Sequence, residues 1–380
     1  MKKIISILTL VMLFACIKPF HPVIESTAEN KYVVSGKISD QEGWQEVNVS
    51  LSSPIEKPEY IPVSGCQVII KDDKGNDFQL EENDPGSYQI WLNGEYLVPG
   101  TSYMVSVITP SSETIESTYD KMQEGAHLDS VYYILEDIPT TDPEVFHRGI
   151  QFYVDLHAEN VDCKNYKWEI VHTYEYHARH PVTNYYDGEH HQVDPPDYTN
   201  KVCWISGLLK NVYTLSTENL SQNTFIKFPL HFVDGLSSRL DILYSILVKQ
   251  QAISEEAFDY WEQVRVNSHE LGGLYEKQPY AIKGNLVNLT HPENDVLGYF
   301  YAASESSRRY FYKDIEGLEI DFWDYCVEYD LGRGGWRQFY PWNYPVYYYI
   351  NPETGLWILT PECVDCRLRG GTTTKPDFWP

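Results

Sequence analysis

Apolar and polar residues alternate with period two over most of the chain, the pattern of strands that bury one face. From residue 31 such runs recur at roughly ten-residue intervals: Tyr32–Ser39, Glu46–Ser52, Cys66–Lys71, Asp77–Glu81, Ser87–Leu92, Ser102–Thr109 and Thr114–Thr118. Asp72-Asp73-Lys74-Gly75-Asn76 separates two of them, and Gly75 or Asn76 can adopt the left-handed backbone of a tight turn. The spacing predicts an antiparallel β-sandwich, immunoglobulin-like or transthyretin-like, over residues 31–125. The alternation restarts after Leu128 at Ser130–Leu135, Gly149–His157 and Tyr166–Tyr176, where a polar insertion, Arg179 to Asn200, reads as a surface loop. It resumes at Val202–Ile205, Tyr213–Ser216, Phe225–Phe232 and Ser245–Val248, and again at Tyr280–Leu289, Val296–Ala303 and Arg308–Lys313. One segment changes period. Ala257, Tyr260, Trp261 and Val264 recur at helical spacing behind Ser254 as cap, with Glu255 and Glu256 at the positive helix end, which predicts a helix over 254–267. No linker is visible beyond Leu128. The expected fold is therefore mostly β, with residues 126–380 forming a larger β-rich domain that carries a short helical insertion.

The first residues follow another rule. Lys2 and Lys3 precede an apolar run, Ile4 to Phe14, and Leu13-Phe14-Ala15 leads into Cys16. This has the form of a secretory signal peptide, and the run falls short of the ~20 residues a membrane-spanning helix needs. Leu-x-Ala-Cys resembles the lipobox of bacterial lipoproteins, which implies a signal peptide over 1–15, lipid attachment at Cys16 and a tether over 16–30. Two anchoring signals suffice for stable attachment, each buried methylene contributing about 0.8 kcal/mol.

Composition narrows the partners. A net charge of −26 repels phosphate backbones and anionic headgroups, which argues against nucleic acid and against any electrostatic membrane contact. Thirty-one tyrosines and ten tryptophans suit β-sheets and contact surfaces. With Cys16 assigned to lipid, Cys66, Cys163, Cys203, Cys326, Cys363 and Cys366 remain as candidate disulfide cysteines outside the cytoplasm, their pairing open. Cys363-Val-Asp-Cys366 lacks the βαβ setting of a redox motif and the second pair of a zinc site, so it reads as structural.

Candidate chemistry is sparse. His172, His177, His180, His190 and His191, interleaved with Asp187, Glu189 and Asp194, offer metal-ligand types, yet no recognised ligand spacing, and adjacent His190 and His191 would face opposite ways in a strand. The acids from Asp72 to Asp84 fail the calcium-loop order. No nucleophile elbow, catalytic cysteine setting or phosphate loop is present, and no cofactor is expected. The aromatic segment is harder to dismiss: Trp336, Tyr340, Trp342 and Tyr344 stand among prolines and glycines, where rings either pack within the core and loops or form a contact surface that stacks on sugars or anchors an interface.

Cys16-Ile-Lys-Pro-Phe-His-Pro, Leu128-Asp-Ser-Val-Tyr-Tyr, Cys203-Trp204, the Ile253–Trp261 helix segment, Val296-Leu-Gly-Tyr-Phe-Tyr-Ala-Ala303 and the Cys363-Val-Asp-Cys366 to Lys375-Pro-Asp-Phe-Trp379 ending resemble, in that order, the Bacteroidetes lipoproteins with the domain of unknown function DUF4249. The resemblance implies an outer-membrane lipoprotein, cell-surface rather than periplasmic, encoded beside TonB-dependent transporters of the starch-utilisation type. Lys18 departs from the acidic residues that often accompany surface export. The expected function is a non-catalytic accessory or ligand-capture subunit of such a barrel, with a glycan or peptide as ligand. The alternatives are a surface glycan or peptide hydrolase and a scaffold or assembly factor in an outer-membrane complex.

Overall fold

The computed structural model describes residues 30–380 apart from 55–57, 141, 143, 270–281 and 323, so the leader, Cys16 and the tether up to residue 29 lie outside the described residues. The first half of the architecture comprises β1 (Tyr32–Ser39), β2 (Gly43–Leu51), β3 (Ile61–Pro62), β4 (Gln67–Asp72), β5 (Asp77–Asp84), β6 (Ser87–Leu92), β7 (Ser102–Ile108), β8 (Thr114–Ser117) and β9 (Asp120–Lys121). Their inward positions, Val34, Ile38, Val47, Val49, Val68, Ile70, Val105 and Val107, are fully buried in one core between two layers. β5 belongs to both layers, its first half pairing with β4 and its second with β6. The β4–β5 turn places Gly75 at φ 93°, and the Asp72 carboxylate is engaged there, accepting from the backbone of Lys74 and Asn76. That carboxylate serves the turn, as the hairpin reading expects.

The chain continues through β10 (Ser130–Pro139), β11 (Phe146–His157), β12 (Asn165–His177), β13 (Val182–Tyr186), β14 (His190–Asp197), β15 (Val202–Leu208), β16 (Tyr213–Ser216), β17 (Thr224–Asp234) and β18 (Tyr244–Ala252) to α1 (Glu255–His269). It closes with β19 (Leu286–Asn288), β20 (Phe300–Tyr312), β21 (Glu328–Asp330), β22 (Val346–Asn351) and β23 (Gly355–Leu359). A three-stranded sheet, β10-β11-β17, covers the β15-β12-β18-β20 segment of the large sheet and encloses a second core around Phe152, Trp168, Tyr244 and Ile246. Ser254 caps α1, its hydroxyl accepting from the Ala257 amide at 3.1 Å, and Ala257, Tyr260 and Trp261 pack on Tyr299 and Tyr301.

One strand joins the two cores. Phe300 to Ala303 of β20 pair in parallel with Gly36 to Ser39 of β1, and Ser304 to Tyr312 pair antiparallel with β18. The two strands expected at Val296–Ala303 and Arg308–Lys313 are thus one, and the polar Ser304–Ser307 run between them is ordered within it. β19 adds to the first sandwich by pairing with β8.

Two further expectations are corrected. The Arg179–Asn200 insertion forms the β13–β14 hairpin of a five-stranded sheet, β14-β13-β22-β23-β21, in place of a loop; it looks polar because both faces of β14 are largely solvated. Of the six candidate disulfide cysteines, four are bonded, Cys203 to Cys366 and Cys326 to Cys363, while Cys66 and Cys163 are free thiols. Those two belong to different cores, Cys66 against the first and Cys163 within the second, so neither can reach the other. The Cys-x-x-Cys pair is structural, with each cysteine bound to a different partner. Among the described residues no helix is long and apolar enough to cross a membrane.

Candidate functional site

Strand pairing brings the histidine-rich hairpin and the aromatic segment into one sheet. Tyr185 lies opposite Tyr347 and Tyr186 opposite Val346, so side chains far apart in sequence share a face. Trp336 packs against Tyr186 at 4.7 Å, His190 at 4.6 Å and Tyr348 at 4.9 Å between ring centroids. His191, one residue on, faces away and stacks on Tyr185 at 4.6 Å with its Nε2 2.9 Å from Asp187. Tyr344 rests half-buried, edge-on to Tyr186. The other two candidate contact aromatics point outward: Tyr340 and Trp342 stack at 4.6 Å and 13° with 51% and 78% of their surface exposed. Pro341 opens the short turn between them, and the Asn343 side chain accepts from the Tyr340 amide at 3.1 Å, which fixes the pair. Trp336 and Tyr344 are therefore supports, and Tyr340 and Trp342 the presented surface.

The histidines do not converge. His172 is buried in the second core, His177 bonds Glu175 at 2.6 Å, and His190 and His191 occupy opposite faces of the hairpin. Among the described residues, ligand atoms of three metal-binding types come together at His180, Cys326 and Glu328. Cys326 is committed to its disulfide and has no thiolate to offer. The Glu328 carboxylate meets His180 and Arg179, both at 3.0 Å, and Tyr349 at 2.8 Å; burial would raise it, but these bonds hold it at about 2. The arrangement is an ion-pair lock on the small sheet.

A second constellation lies where the two sandwiches meet. Lys37 of β1 reaches Glu169 of β12 at 3.3 Å and Glu305 of β20 at 2.8 Å. Lys167 lies behind them, 2.7 Å from Glu169, 3.2 Å from the Tyr301 hydroxyl and 3.4 Å from Gln251, with its ammonium 4.4 Å above the Trp261 ring. Lys249 stands 3.4 Å from the other Glu305 oxygen. Burial would raise both carboxyls, but the neighbouring lysines outweigh it, holding Glu169 at about 2 and Glu305 below its ordinary value. Burial lowers Lys167 and pushes the Tyr301 hydroxyl well up. The two carboxylates flank one lysine across a cleft, and that lysine favours the ionised form of both.

The family model for the domain of unknown function DUF4249 matches residues 17–309. The chain belongs to the DUF4249 family. The DUF4249 match contains every residue of the charged constellation and the β13–β14 hairpin, and ends inside β20; the aromatic segment and the Cys326–Cys363 bond lie beyond it. No curated protein matches the chain. Among solved structures, a tetra-tandem repeat in the extending region of a large adhesion protein is 12% identical with a TM-score of 0.17, over 60% of this chain and 46% of that one. Trypsin-activated alpha-2-macroglobulin from Escherichia coli is 10% identical with a TM-score of 0.18, over 60% of this chain and 15% of that one. This chain thus spans less than half of either structure, and likeness this slight assigns no function.

Sequence reasoning overlooked the charged constellation of this DUF4249 chain because its members come from four strands. A local signal did exist. Lys167 is flanked by the buried rings of Tyr166 and Trp168, which marks a charged side chain inside a strand of the core.

Proposed function

We propose that this DUF4249 protein is a non-catalytic, lipid-anchored accessory subunit of the outer membrane that docks on a TonB-dependent barrel through its aromatic sheet. The stacked Tyr340–Trp342 pair carries the reading. A tryptophan with 78% of its surface in water contributes little to the fold, while tryptophan and tyrosine dominate the energetics of protein interfaces. The ion-paired Glu328 and the Cys326–Cys363 bond hold the sheet behind it, so little ordering entropy would be lost on contact. The Lys2–Cys16 leader supports the anchor, and the lysine-held state of Glu169 and Glu305 supports a non-catalytic role.

Affinity purification from native membranes in gentle detergent, followed by mass spectrometry, tests the proposal. A stoichiometric barrel partner is expected with the natural chain and its loss with Trp342→Ala. Recovery of the natural chain alone rejects the docking role.

A further inference from the structure

The charged constellation forms the floor of an open cleft of about 670 Å³ between the two sandwiches, a volume typical of small-molecule sites. Lys37, Lys249, Glu169 and Glu305 face it, Trp261 of α1 lines one wall, and Trp44 of β2 lines another. Trp44 is 60% exposed and is braced by Trp91 at 5.6 Å and 87°. Removing five charged groups from bulk water to build this floor is costly, and apolar residues of similar size would serve the fold as well or better. The arrangement therefore calls for an explanation beyond stability.

We infer that this cleft binds a short neutral carbohydrate, with hydroxyls on the Lys37–Glu305–Lys249 row and a sugar face on Trp44. Three features select this ligand class. The first is charge. Lys37 and Lys249 on the floor, with Lys167 buried behind them, are set against Glu169 and Glu305, and Glu42 and Glu46 stand on the rim, so an anion meets carboxylates and a cation meets ammonium groups. The second is the alternation of fixed donors and acceptors. Each ionised carboxylate keeps acceptor capacity beyond its lysines and each ammonium keeps donors, while neighbouring hydroxyls of a sugar donate and accept at once. The third is the flat ring at the mouth, which suits the apolar C–H face of a pyranose. Gln251 and Tyr301 complete the bonding of Lys167 from beneath, so the polar row is held in place before a ligand arrives.

The cleft and the aromatic sheet share no residue, so sugar binding is separable from barrel docking. The test is isothermal titration calorimetry on the full chain in a detergent without a sugar headgroup, with maltohexaose, xylohexaose, mannohexaose and chitohexaose, each taken to about 5 mM. Tetragalacturonate and pentalysine serve as charged comparators. Single-site binding of at least one neutral series is expected, weakened on the order of tenfold or more by Trp44→Ala and by Lys249→Met and unchanged by Trp342→Ala. Circular dichroism spectra of both cleft variants should match the natural chain at the titration temperature; Trp44→Ala should keep its melting temperature, while Lys249→Met melts lower because Glu305 loses a counter-charge but stays folded where binding is read. Absence of heat with all four neutral sugars, binding that survives both cleft substitutions, or preference for either charged comparator would overturn the inference.

Discussion

The imidazoles of His172 and His231 meet edge to face, 6.2 Å apart, across the second core, and each keeps a buried ring nitrogen without a hydrogen-bond partner. His172 comes from β12 of the large sheet and His231 from β17 of the covering sheet, so the contact joins the two layers. Burial, reinforced at both by Arg239, lowers each from 6.5 to about 4. The folded state therefore holds both rings neutral.

Acid lability follows with a defined sign. A base with a depressed folded pKa stabilises the fold fully above its unfolded value, and loses that contribution as pH falls from about 6.5 towards 4. At about 1.4 kcal/mol per pKa unit, the loss is up to about 3 kcal/mol per histidine. Urea unfolding midpoints across that range should fall steeply for the natural chain and much less for a His172→Phe, His231→Leu double variant. Equal slopes would show that the pair does not carry the effect.

Asp120 works in the opposite direction. Burial raises its carboxyl from 3.8 to about 6, against bonds from Ser254 and from the Ala302 amide at 2.7 Å. Its folded pKa lies above the unfolded one, so its contribution is greatest below about pH 4 and is lost as pH rises through 6. Asp120→Asn keeps an acceptor for the Ala302 amide and cannot ionise. It should raise the unfolding free energy at pH 8 by about 1–2 kcal/mol and leave it unchanged at pH 4, as read from urea denaturation. A loss of stability at pH 8 would mean that the ionised form is favoured in the fold.

What the sequence made legible depended on which faces are apolar. β1 and β6 coincide with their predicted limits, and Ser254 caps the helix as expected, because apolar spacing and local capping determine both. The continuity of β20 was hidden by Ser304–Ser307. Glu305 turns inward to Lys37 and Lys249, and Ser306 accepts from the Leu128 amide, so polar residues fill positions where alternation looks for apolar ones. The hairpin β13–β14 was hidden for the converse reason, since it buries little on either side. The aromatic residues were visible as a surface, but their partnership with His190 and Tyr186 depends on strand register, which no local pattern encodes.

Alkylation followed by mass spectrometry should separate the thiols. After denaturation without reductant, Cys66 and Cys163 should be labelled, while Cys203, Cys326, Cys363 and Cys366 should react only after reduction. Loop separations of 163 and 37 residues correspond to about 5 and 4 kcal/mol of chain-entropy stabilisation for the Cys203–Cys366 and Cys326–Cys363 bonds. Removing the longer link as Cys203→Ala with Cys366→Ala should therefore lower the unfolding midpoint further than removing the shorter. The reverse order would locate the stabilisation in local packing of the small sheet.

Trp336 and Trp342, six positions apart, should respond unequally to truncation. Trp336 is wedged among Tyr186, His190, Phe339 and Tyr348, so Trp336→Ala opens a cavity and should cost about 3 kcal/mol. Trp342→Ala removes an exposed ring and should change stability by less than about 0.5 kcal/mol. Chemical denaturation of both variants distinguishes support from surface. Comparable losses would place Trp342 within the packing and remove it as a free contact.

The Lys167–Glu169 pair should show the asymmetry of buried charge. Glu169→Gln leaves the Lys167 ammonium buried against Tyr301 and Gln251 without its nearest counter-charge, and Lys37 retains only Glu305. A loss of about 3 kcal/mol is expected, most of it the cost of the stranded lysine. Adding Lys167→Met should recover a large part of that loss, because the unpaired ammonium is gone and its stem is replaced by an apolar chain over Trp261. A double-mutant cycle from urea denaturation measures the coupling directly. If the two losses simply add, Lys167 does not depend on Glu169, and the floor of the cleft is a set of independent contacts rather than one network.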